Sequence, residues 1–450
     1  MTMMKADASP EKHLFLEMFI RDISLDDCVL DLMDNSIDSL ISSRDIDVSD
    51  ALFPFQAEDD CTNDSNGDSG FASIKIDYDG NSFRIVDTCG GISVREAKDE
   101  VFRFGHSSEA TLGQLGVYGV GLKRAIFKIG NHITIESKTP TEGFRMEINV
   151  PEWARDPKWE LPFEVIEGTS DPNSAGTIIT IVSFREEVAN RFRSDFFWKQ
   201  LHDSIGRTYC LFLNRYVKVT LNSYEVNTNP IPLGSSGAVN VAKDEFMHEE
   251  VKVTLYAGLA SRDSDGEWRT PDAGWYAACN GRLVVSADKT ELTGWGSGRG
   301  PIFHPKYRGF IGIAFFYSKN PFLLPWTTTK RGLNQESLVY QEARGRMAVL
   351  ARPVLRFFDE MYIPKEIVRD PQRLLAEDVK PVDVRLLTRM PQDVFTPKPR
   401  PSVEATTSVQ YDVKNSELDR IRRHLRKASW PAKKIGMYTF NHFLKTECPE

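Results

Sequence analysis

Cysteine is scarce in this chain, and the few cysteines present are far apart. Six are scattered through 450 residues, and no two of them form a Cys-x-x-Cys pair. A zinc site or a disulfide framework requires paired or clustered cysteines, so neither is expected. This usage favours a reducing compartment, and we predict a cytoplasmic location.

Long apolar runs are also missing. The longest, such as Phe310 to Tyr317, are too short to span a bilayer, and Met1 to Pro10 has no apolar signal-peptide core. We therefore expect no membrane partner. An excess of basic charge is absent too, because the formal net charge of the 450 residues is −8. That balance argues against a protein that coats nucleic acid, and the length leaves room for two or three domains.

What the chain does contain is centred on one helix. From about Ile23 to Ile41, apolar residues recur at three- and four-residue steps and predict one buried face: Leu25, Val29, Leu32, Met33 and Ile37. Asp31, Asn35 and Asp38 stand at i, i+4 and i+7, so they share an adjoining face. A solvated helix face would explain that row. A magnesium-nucleotide site would explain it too, with an amide oxygen for the metal and a carboxylate for a water.

An acidic turn follows two predicted strands, 71–78 and 83–86. The second strand runs into Asp87-Thr88-Cys89-Gly90-Gly91-Ile92. Paired glycines let backbone approach a ligand closely, and a carboxylate there can accept a hydrogen bond from an exocyclic amine such as that of adenine. A turn-capping aspartate is the alternative.

A glycine-rich loop precedes the next predicted helix, Leu122 to Ile129. Gly113 to Gly121 holds four glycines in nine residues, and free N–H groups ahead of a helix form a cradle for anions. The loop is not a P-loop, because Leu122 intervenes before Lys123 and no Ser or Thr follows that lysine. A structural loop without a ligand is the alternative.

Further strands are predicted at 132–137, 144–150 and 176–182, the last being β-branched like a central strand. Residues 1–190 thus predict helices packed on a mixed sheet, a two-layer α/β sandwich of the α+β class. Within this domain, 44–70 holds eight acidic residues against one basic residue, which indicates a solvated, mobile insertion.

Taken in order, these segments resemble the motifs of the GHKL (Bergerat-fold) ATPase superfamily. That group includes gyrase B subunits, large heat-shock chaperones, histidine kinases and the MutL proteins. Asp31–Asp38 is similar to its E-x-x-x-N-x-x-D motif, and Asp87–Gly91 to its D-x-G-x-G motif. Gly116–Gly121 is similar to the G-x-x-G-x-G of the ATP lid, and Gly176-Thr177 to the late G-T. The residues within these motifs are most similar to those of the Microrchidia and MutL branches, as in D-N-S-I-D and Y-G-x-G-L-K.

The resemblance implies a role for each residue. Asn35 would ligate Mg²⁺, Asp87 would take the adenine amine with Thr177 beside it, and Gly91 would leave room for the base. Lys123 is a further phosphate contact. The lid would wrap the phosphates with the backbone N–H groups of Gly116, Tyr118, Gly119, Val120 and Gly121. Asp38, Ile92 and Leu122 complete the expected nucleotide-binding set.

Two departures from the family pattern have consequences. The family's general base is a glutamate, and here that position holds Asp31, which is one methylene shorter. Hydrolysis is therefore expected to be slow or absent. In the second motif, Cys89 stands where glycine is usual, which changes the local conformation of the adenine loop.

A second α/β domain is predicted over 191–345. Its Asn280-Gly281-Arg282 is a hairpin signal, and it also resembles the N-G-R of the transducer domain that follows the ATPase domain in MutL and gyrase B. In that family a transducer lysine reaches the γ-phosphate. Lys330 is the candidate, so we count it with Asp31 as catalytic, and Arg331 is the reserve. A charged loop without such a role is the alternative.

The rest of the chain, 346–450, is predicted to be a helical, proline-rich tail. Pro353 should kink or break a helix over 335–361, and seven prolines from Pro364 to Pro401 indicate a linker. The last predicted helix is 417–428.

That last helix is basic and is expected to begin with a capping-box variant formed by Asn415-Ser416 and Asp419. Its charge suggests nucleic acid as a partner, whereas a solvated helix that packs on the body is the alternative.

Together these features predict a Mg-ATP-binding ATPase that acts as an ATP-dependent homodimeric clamp or switch, with nucleic acid as the client. Two alternatives remain open. One is a chaperone-like protein remodeller, and the other is an ATP-sensing regulatory or defence protein with little turnover.

Overall fold

The computed structural model describes residues 11–46, 71–103, 115–116, 119–298, 300–361, 379–382, 393–397 and 409–448. Several predicted features lie outside these residues. They are most of the acidic insertion 44–70, most of the lid including Tyr118, and most of the proline-rich linker.

The predicted helices and strands occur in the predicted order with differences at their ends, and further short elements that were not predicted lie between them. The α-helices of six or more residues in the described chain are α1 (Lys12–Arg21), α2 (Leu25–Ser43), α3 (Gly121–Ile129), α4 (Val150–Arg155), α5 (Glu186–Phe192), α6 (Asp195–Thr208), α7 (Leu338–Met361), α8 (Asn415–Leu425) and α9 (Ala432–Glu447). The strands are β1 (Ala72–Tyr78), β2 (Ser82–Asp87), β3 (His132–Lys138), β4 (Glu142–Asn149), β5 (Phe163–Glu167), β6 (Gly176–Val182), β7 (Val217–Leu221), β8 (Tyr224–Glu225), β9 (Leu233–Ser235), β10 (Ala242–His248), β11 (Val251–Ala260), β12 (Gly274–Cys279), β13 (Arg282–Asp288), β14 (Phe310–Tyr317) and β15 (Lys380–Pro381).

The first sheet has the strand order β5-β4-β3-β6-β2-β1-β7-β8. β6 lies between β3 and β2, as its β-branched run predicts, and only the β1–β7 pairing is parallel among the pairs of this sheet in the described residues. The α+β class with a two-layer sandwich is confirmed.

Helix α2 buries the face that its periodicity predicts. Ser24 caps its N-terminus by accepting a hydrogen bond from the Asp27 N–H, and Asp26 and Asp27 in the first turn suit the positive end of the helix dipole. All five predicted apolar residues are buried, and each contributes about 1.5–3 kcal/mol of transfer free energy. This burial fixes which way the polar faces of α2 point.

The first sheet continues beyond residue 190, where the sequence places the end of the first domain. β7 and β8 add to its edge, and the ring of Phe192 stacks on Tyr78 and Phe83 with centroids 4.6 and 5.8 Å apart. The strands of the first sheet end with β8 at Glu225, and those of the second sheet begin with β9 at Leu233. The part of the chain that carries the second sheet is called the second domain below.

The second sheet has the order β13-β12-β14-β11-β9-β15, with β10 paired to β11, and α7 packs on it. The predicted hairpin is confirmed, because Asn280 and Gly281 both have positive φ (46° and 84°), as a type I′ turn requires. The Asn280 side chain also exchanges two hydrogen bonds of 3.1 Å with the backbone of Ser318. This buried turn carries Arg282 at its exit.

Predictions at two helices fail at least in part. A break at Pro353 is wrong, because α7 continues through it, whereas a kink stays a prediction. The carbonyl that loses a partner is that of Val349 four residues earlier, and Val349 is exposed, so water can replace the missing N–H. In the tail, Lys414 is the N-cap of α8 and no side chain caps it, so the Asn415-Ser416 capping box does not form.

The tail contains a further helix, α9, which the sequence reasoning missed. α8 and α9 belong to a compact unit separate from the rest of the chain. Among the helices of the described residues, none has both the length and the apolar character needed to cross a bilayer.

Candidate functional site

A cavity of about 390 Å³ opens between α2, the first sheet, the lid and one loop of the second domain. This volume lies within the range of small-molecule sites. Its lining includes these sequence-predicted residues: Asp31, Asn35, Asp38, Asp87, Gly91, Ile92, Gly116, Gly119, Val120, Gly121, Leu122, Thr177 and Lys330. The fold therefore brings the predicted motifs to one place.

A row of serines on α2 holds the turn that follows β2. Ser36, Ser39 and Ser43 stand at i, i+3 and i+7, so they share one face of the helix. Ser36 donates to Asp87 Oδ2 (2.8 Å), Ser39 to the Gly91 carbonyl (3.0 Å) and Ser43 to the Cys89 carbonyl (3.0 Å). The sequence reasoning missed this row, although its spacing is visible in the chain.

Asp87 is the centre of the polar end of the cavity. Its Oδ1 accepts from the N–H groups of Cys89 (3.0 Å) and Thr177 (3.2 Å). Burial raises the pKa of Asp87, and these hydrogen bonds oppose the rise. A carboxylate accepts about four hydrogen bonds, so Asp87 retains capacity for an amine of a ligand.

Gly91 is required by the turn itself. Its φ is +76°, and a Cβ there would lie 2.2 Å from the Lys138 carbonyl oxygen. Cys89 is buried in the core, and the positive φ angles fall on Gly90 and Gly91 instead. The cysteine thus occupies a position of this turn that does not need glycine.

Asn35 and Asp38 lie at the lid end of the cavity. Asn35 donates from Nδ2 to the Asp31 carbonyl (2.8 Å), which orients the amide and leaves Oδ1 for another partner. Asp38 accepts from the N–H groups of Leu115 (2.5 Å) and Gly116 (2.6 Å). Burial raises the pKa of Asp38 to about 7 against these hydrogen bonds. Asp38 therefore anchors the end of the lid.

Asp31 lies beside the start of α3, where a Cβ on Gly121 would be 3.3 Å from the Asp31 carboxyl. Burial raises the pKa of Asp31 to about 6, a shift that Lys330 opposes and Asp34 reinforces. Arg124, which the sequence reasoning missed, lines the same cavity. Its Nε is buried and has no hydrogen-bond partner within the described part of the chain.

Asp34, also missed, joins the two domains through a buried ionic cluster. Its Oδ1 accepts from Arg282 Nε (2.9 Å) and from the Tyr209 hydroxyl (2.7 Å), and its Oδ2 from Lys330 Nζ (2.7 Å). Burial alone would raise the pKa of Asp34, but Arg282 and Lys330 outweigh it and hold the pKa below its usual range. A charge within the apolar stretch of α2 was the signal that such partners exist.

The loop that carries Lys330 is fixed at two points. Arg282 donates from Nη1 to the Lys330 carbonyl (2.7 Å), and Lys330 itself has a φ of +55°. Arg331 pairs with Asp26 (2.8 Å) and with Asp27 at the start of α2. Lys330, and not its reserve Arg331, therefore lines the cavity.

Lys123 has a different environment from the one expected. Its Nζ donates to the carbonyls of Val101 (2.7 Å) and Arg103 (2.8 Å), and Lys123 is not among the lining residues. Burial lowers the pKa of Lys123 to about 8. A phosphate contact by Lys123 stays a prediction that this geometry does not favour.

Residues 23–171 match the family described as Histidine kinase-, DNA gyrase B-, and HSP90-like ATPase. This match supports the GHKL superfamily for that domain. It suggests ATP binding and ATPase activity in general, and it does not extend to the Microrchidia or MutL branch. None of the curated proteins matches the chain. The match ends before β6 and the second domain, so it gives no support for a role of Lys330.

Asp34→Asn should strongly destabilise the protein. The change leaves Arg282 and Lys330 buried without their carboxylate, and the loss of one partner of a buried pair costs about 3–5 kcal/mol. Urea unfolding measures this loss. Asp244→Asn is the control, because its pair with Arg346 is half exposed at 3.4 Å and should cost less than about 1 kcal/mol. Equal losses in the two variants would show that the cluster is not a coupled unit.

Proposed function

We propose that this protein is an ATP-binding switch whose second domain reads the state of the nucleotide site. The observation that carries the proposal is the position of Lys330. This cation belongs to the second domain, yet it lines the cavity together with Asp31 and pairs with Asp34 on α2.

The residues present fit Mg-ATP. Asp87 has capacity for the adenine amine, and Ile85, Ile135 and Ile179 form an apolar wall beside it. The Asn35 amide is oriented with its oxygen unused, which suits a hard cation. Bound Mg²⁺ would neutralise phosphate charge, and the chain's part is to position the nucleotide and exclude water.

The ionic cluster explains how Lys330 could respond to a γ-phosphate. If Lys330 turned towards an anion in the cavity, Asp34 would keep Arg282 and Tyr209 as partners. The buried carboxylate would therefore always keep a partner, which lowers the free-energy cost of the exchange. The difference in nucleotide affinity between the two positions of Lys330 could then drive it. Domain position and nucleotide state would then be coupled.

Hydrolysis is part of the proposal, with Asp31 as the general base. A carboxylate with a pKa of about 6 is largely ionised at neutral pH and is a better proton acceptor than an unperturbed aspartate. An ATP sensor with little turnover is the second candidate, because Asp31 is shorter than the usual glutamate.

More specifically, we propose that the protein forms an ATP-dependent homodimeric clamp that acts on nucleic acid. Its support is the resemblance to the Microrchidia and MutL branches and the basic helix α8, which carries Arg420, Arg422 and Arg423. A chaperone-like remodeller would instead show no dependence on this helix. The scattered cysteines of the sequence, none of them in a Cys-x-x-Cys pair, support a reducing, cytoplasmic location.

Asn35→Ala should abolish Mg-ATP binding, because it removes the oriented amide oxygen. Isothermal titration measures the loss, and Asn190→Ala, at an exposed position of α5, is the control. A non-hydrolysable ATP analogue should double the apparent size of the parent chain in solution and leave Asn35→Ala monomeric. Parent-like Mg-ATP affinity in Asn35→Ala would remove Asn35 from the site.

ATP turnover should fall as pH drops through about 6, because the ionised form of Asp31 accepts the proton. Steady-state rates at saturating ATP check this profile. Asp31→Asn should lower turnover by on the order of 10²-fold or more while ATP still binds. Asp31→Glu, which restores the usual family residue, should retain a pH-dependent rate. Unchanged turnover in Asp31→Asn rules out Asp31 as the base.

Deletion of residues 414–450 should weaken DNA binding. The deleted residues carry the basic helix, so the slope of log affinity against log salt should become shallower. ATP binding by the truncated chain serves as the folding control. If the parent chain binds no DNA at low salt, the nucleic-acid part of the proposal fails while the ATP switch stands.

A further inference from the structure

Arg124 is a cation of the first domain that lines the nucleotide cavity. The charged side chains of this lining are five carboxyl groups and two cations: Asp31, Asp38, Asp87, Glu96, Glu100, Arg124 and Lys330. Ionised carboxylates repel phosphate groups, so the cations decide where the phosphates of a nucleotide can lie. Lys330 is already paired with Asp34 at 2.7 Å. Within the described residues, Arg124 is thus the lining cation that has no carboxylate partner.

The contacts of Arg124 also differ from those of other arginines with a buried Nε. In the described part of the chain, this atom is buried without a hydrogen-bond partner in four arginines: Arg124, Arg262, Arg308 and Arg344. The last three each make a contact through another guanidinium nitrogen, with Gly266, Glu267 and Glu291 respectively. Arg124 makes no such contact with a described residue, although buried polar groups normally have a partner. A ligand in the cavity would supply the acceptor.

The position of Arg124 in α3 indicates that this acceptor is an anion. The first turn of α3 has no acidic residue and carries Lys123 and Arg124 instead. Lys123 donates to two backbone carbonyls and is not among the lining residues. The helix dipole disfavours a cation at this end of a helix, and a bound anion would offset that effect. Asp31, the proposed general base, lies beside Gly121 in the same turn, and Arg124 is close enough to oppose the rise of the Asp31 pKa.

We propose that Arg124 binds the terminal phosphate of the nucleotide and makes the site selective for a triphosphate over a diphosphate. This inference rests on the ATP binding proposed above, and it adds a phosphate contact from the first domain. Lys330 must leave Asp34 before it can reach a phosphate, whereas Arg124 breaks no contact with a described residue when it does so. Arg124 can therefore hold the phosphate in either position of Lys330.

Isothermal titration with a non-hydrolysable ATP analogue and with ADP, each with Mg²⁺, tests this inference. Arg124→Gln should weaken binding of the analogue about tenfold or more, the effect of one lost charged hydrogen bond, and binding of ADP less than about threefold. Retained ADP binding shows that the variant is folded. Arg124→Lys keeps the charge and loses the parallel N–H groups, so its affinity for the analogue should lie between those of Arg124→Gln and the parent.

Lys128→Gln is the matched control, because it removes one positive charge from the last turn of α3, outside the cavity lining. It should leave both affinities unchanged. The inference is overturned if Arg124→Gln binds the analogue as the parent does, if it loses affinity for the analogue and for ADP equally, or if Lys128→Gln loses as much. A parent chain that binds neither nucleotide would refute the proposed function, and this inference with it.

Discussion

Asp34 carries a negative charge in a position that is only 1% exposed. The transfer of such a charge out of water costs several kcal/mol unless donors surround it. Here the donors are Arg282, Lys330 and Tyr209, and all three come from later parts of the chain. Helix α2 therefore cannot adopt its buried position alone. The second domain supplies two cations that make this position of α2 possible, and the placement of Lys330 at the cavity follows from that requirement.

The other faces of α2 build the site. One face carries Asp31, Asn35 and Asp38 towards the lid, and a neighbouring face carries the serine row that holds the turn after β2. The apolar face fixes the rotation of the helix, so each polar face has a defined direction. A single helix thus sets the Asn35 amide, the contacts of Asp38 with the backbone at Leu115 and Gly116, and the turn after β2 relative to one another. Distances within the site are accordingly controlled by packing rather than by flexible loops.

Local signals predicted most of the fold, and non-local contacts account for what was missed. The apolar period of α2 and the Asn280-Gly281 turn act over a few residues, and both were predicted correctly. The partners of Asp34 lie 175 to 296 residues away, so no spacing could identify them. Pro353 shows the reverse case, because a strong local signal was outweighed by packing of α7 on the sheet. Arg124 lies in the first turn of α3, outside every motif that the sequence matches, so no local signal marked it.

The parallel pairing of β1 with β7 has a consequence for how the chain reaches this structure. Strand β1 has β2 on one side, and its other edge is covered only by a strand about 140 residues downstream. During synthesis that edge stays open until residues 217–221 have emerged, and open strand edges invite pairing with other chains. A fragment that stops at residue 190 would keep β1 as a permanent edge. A fragment in which this edge of β1 is paired therefore has to include β7.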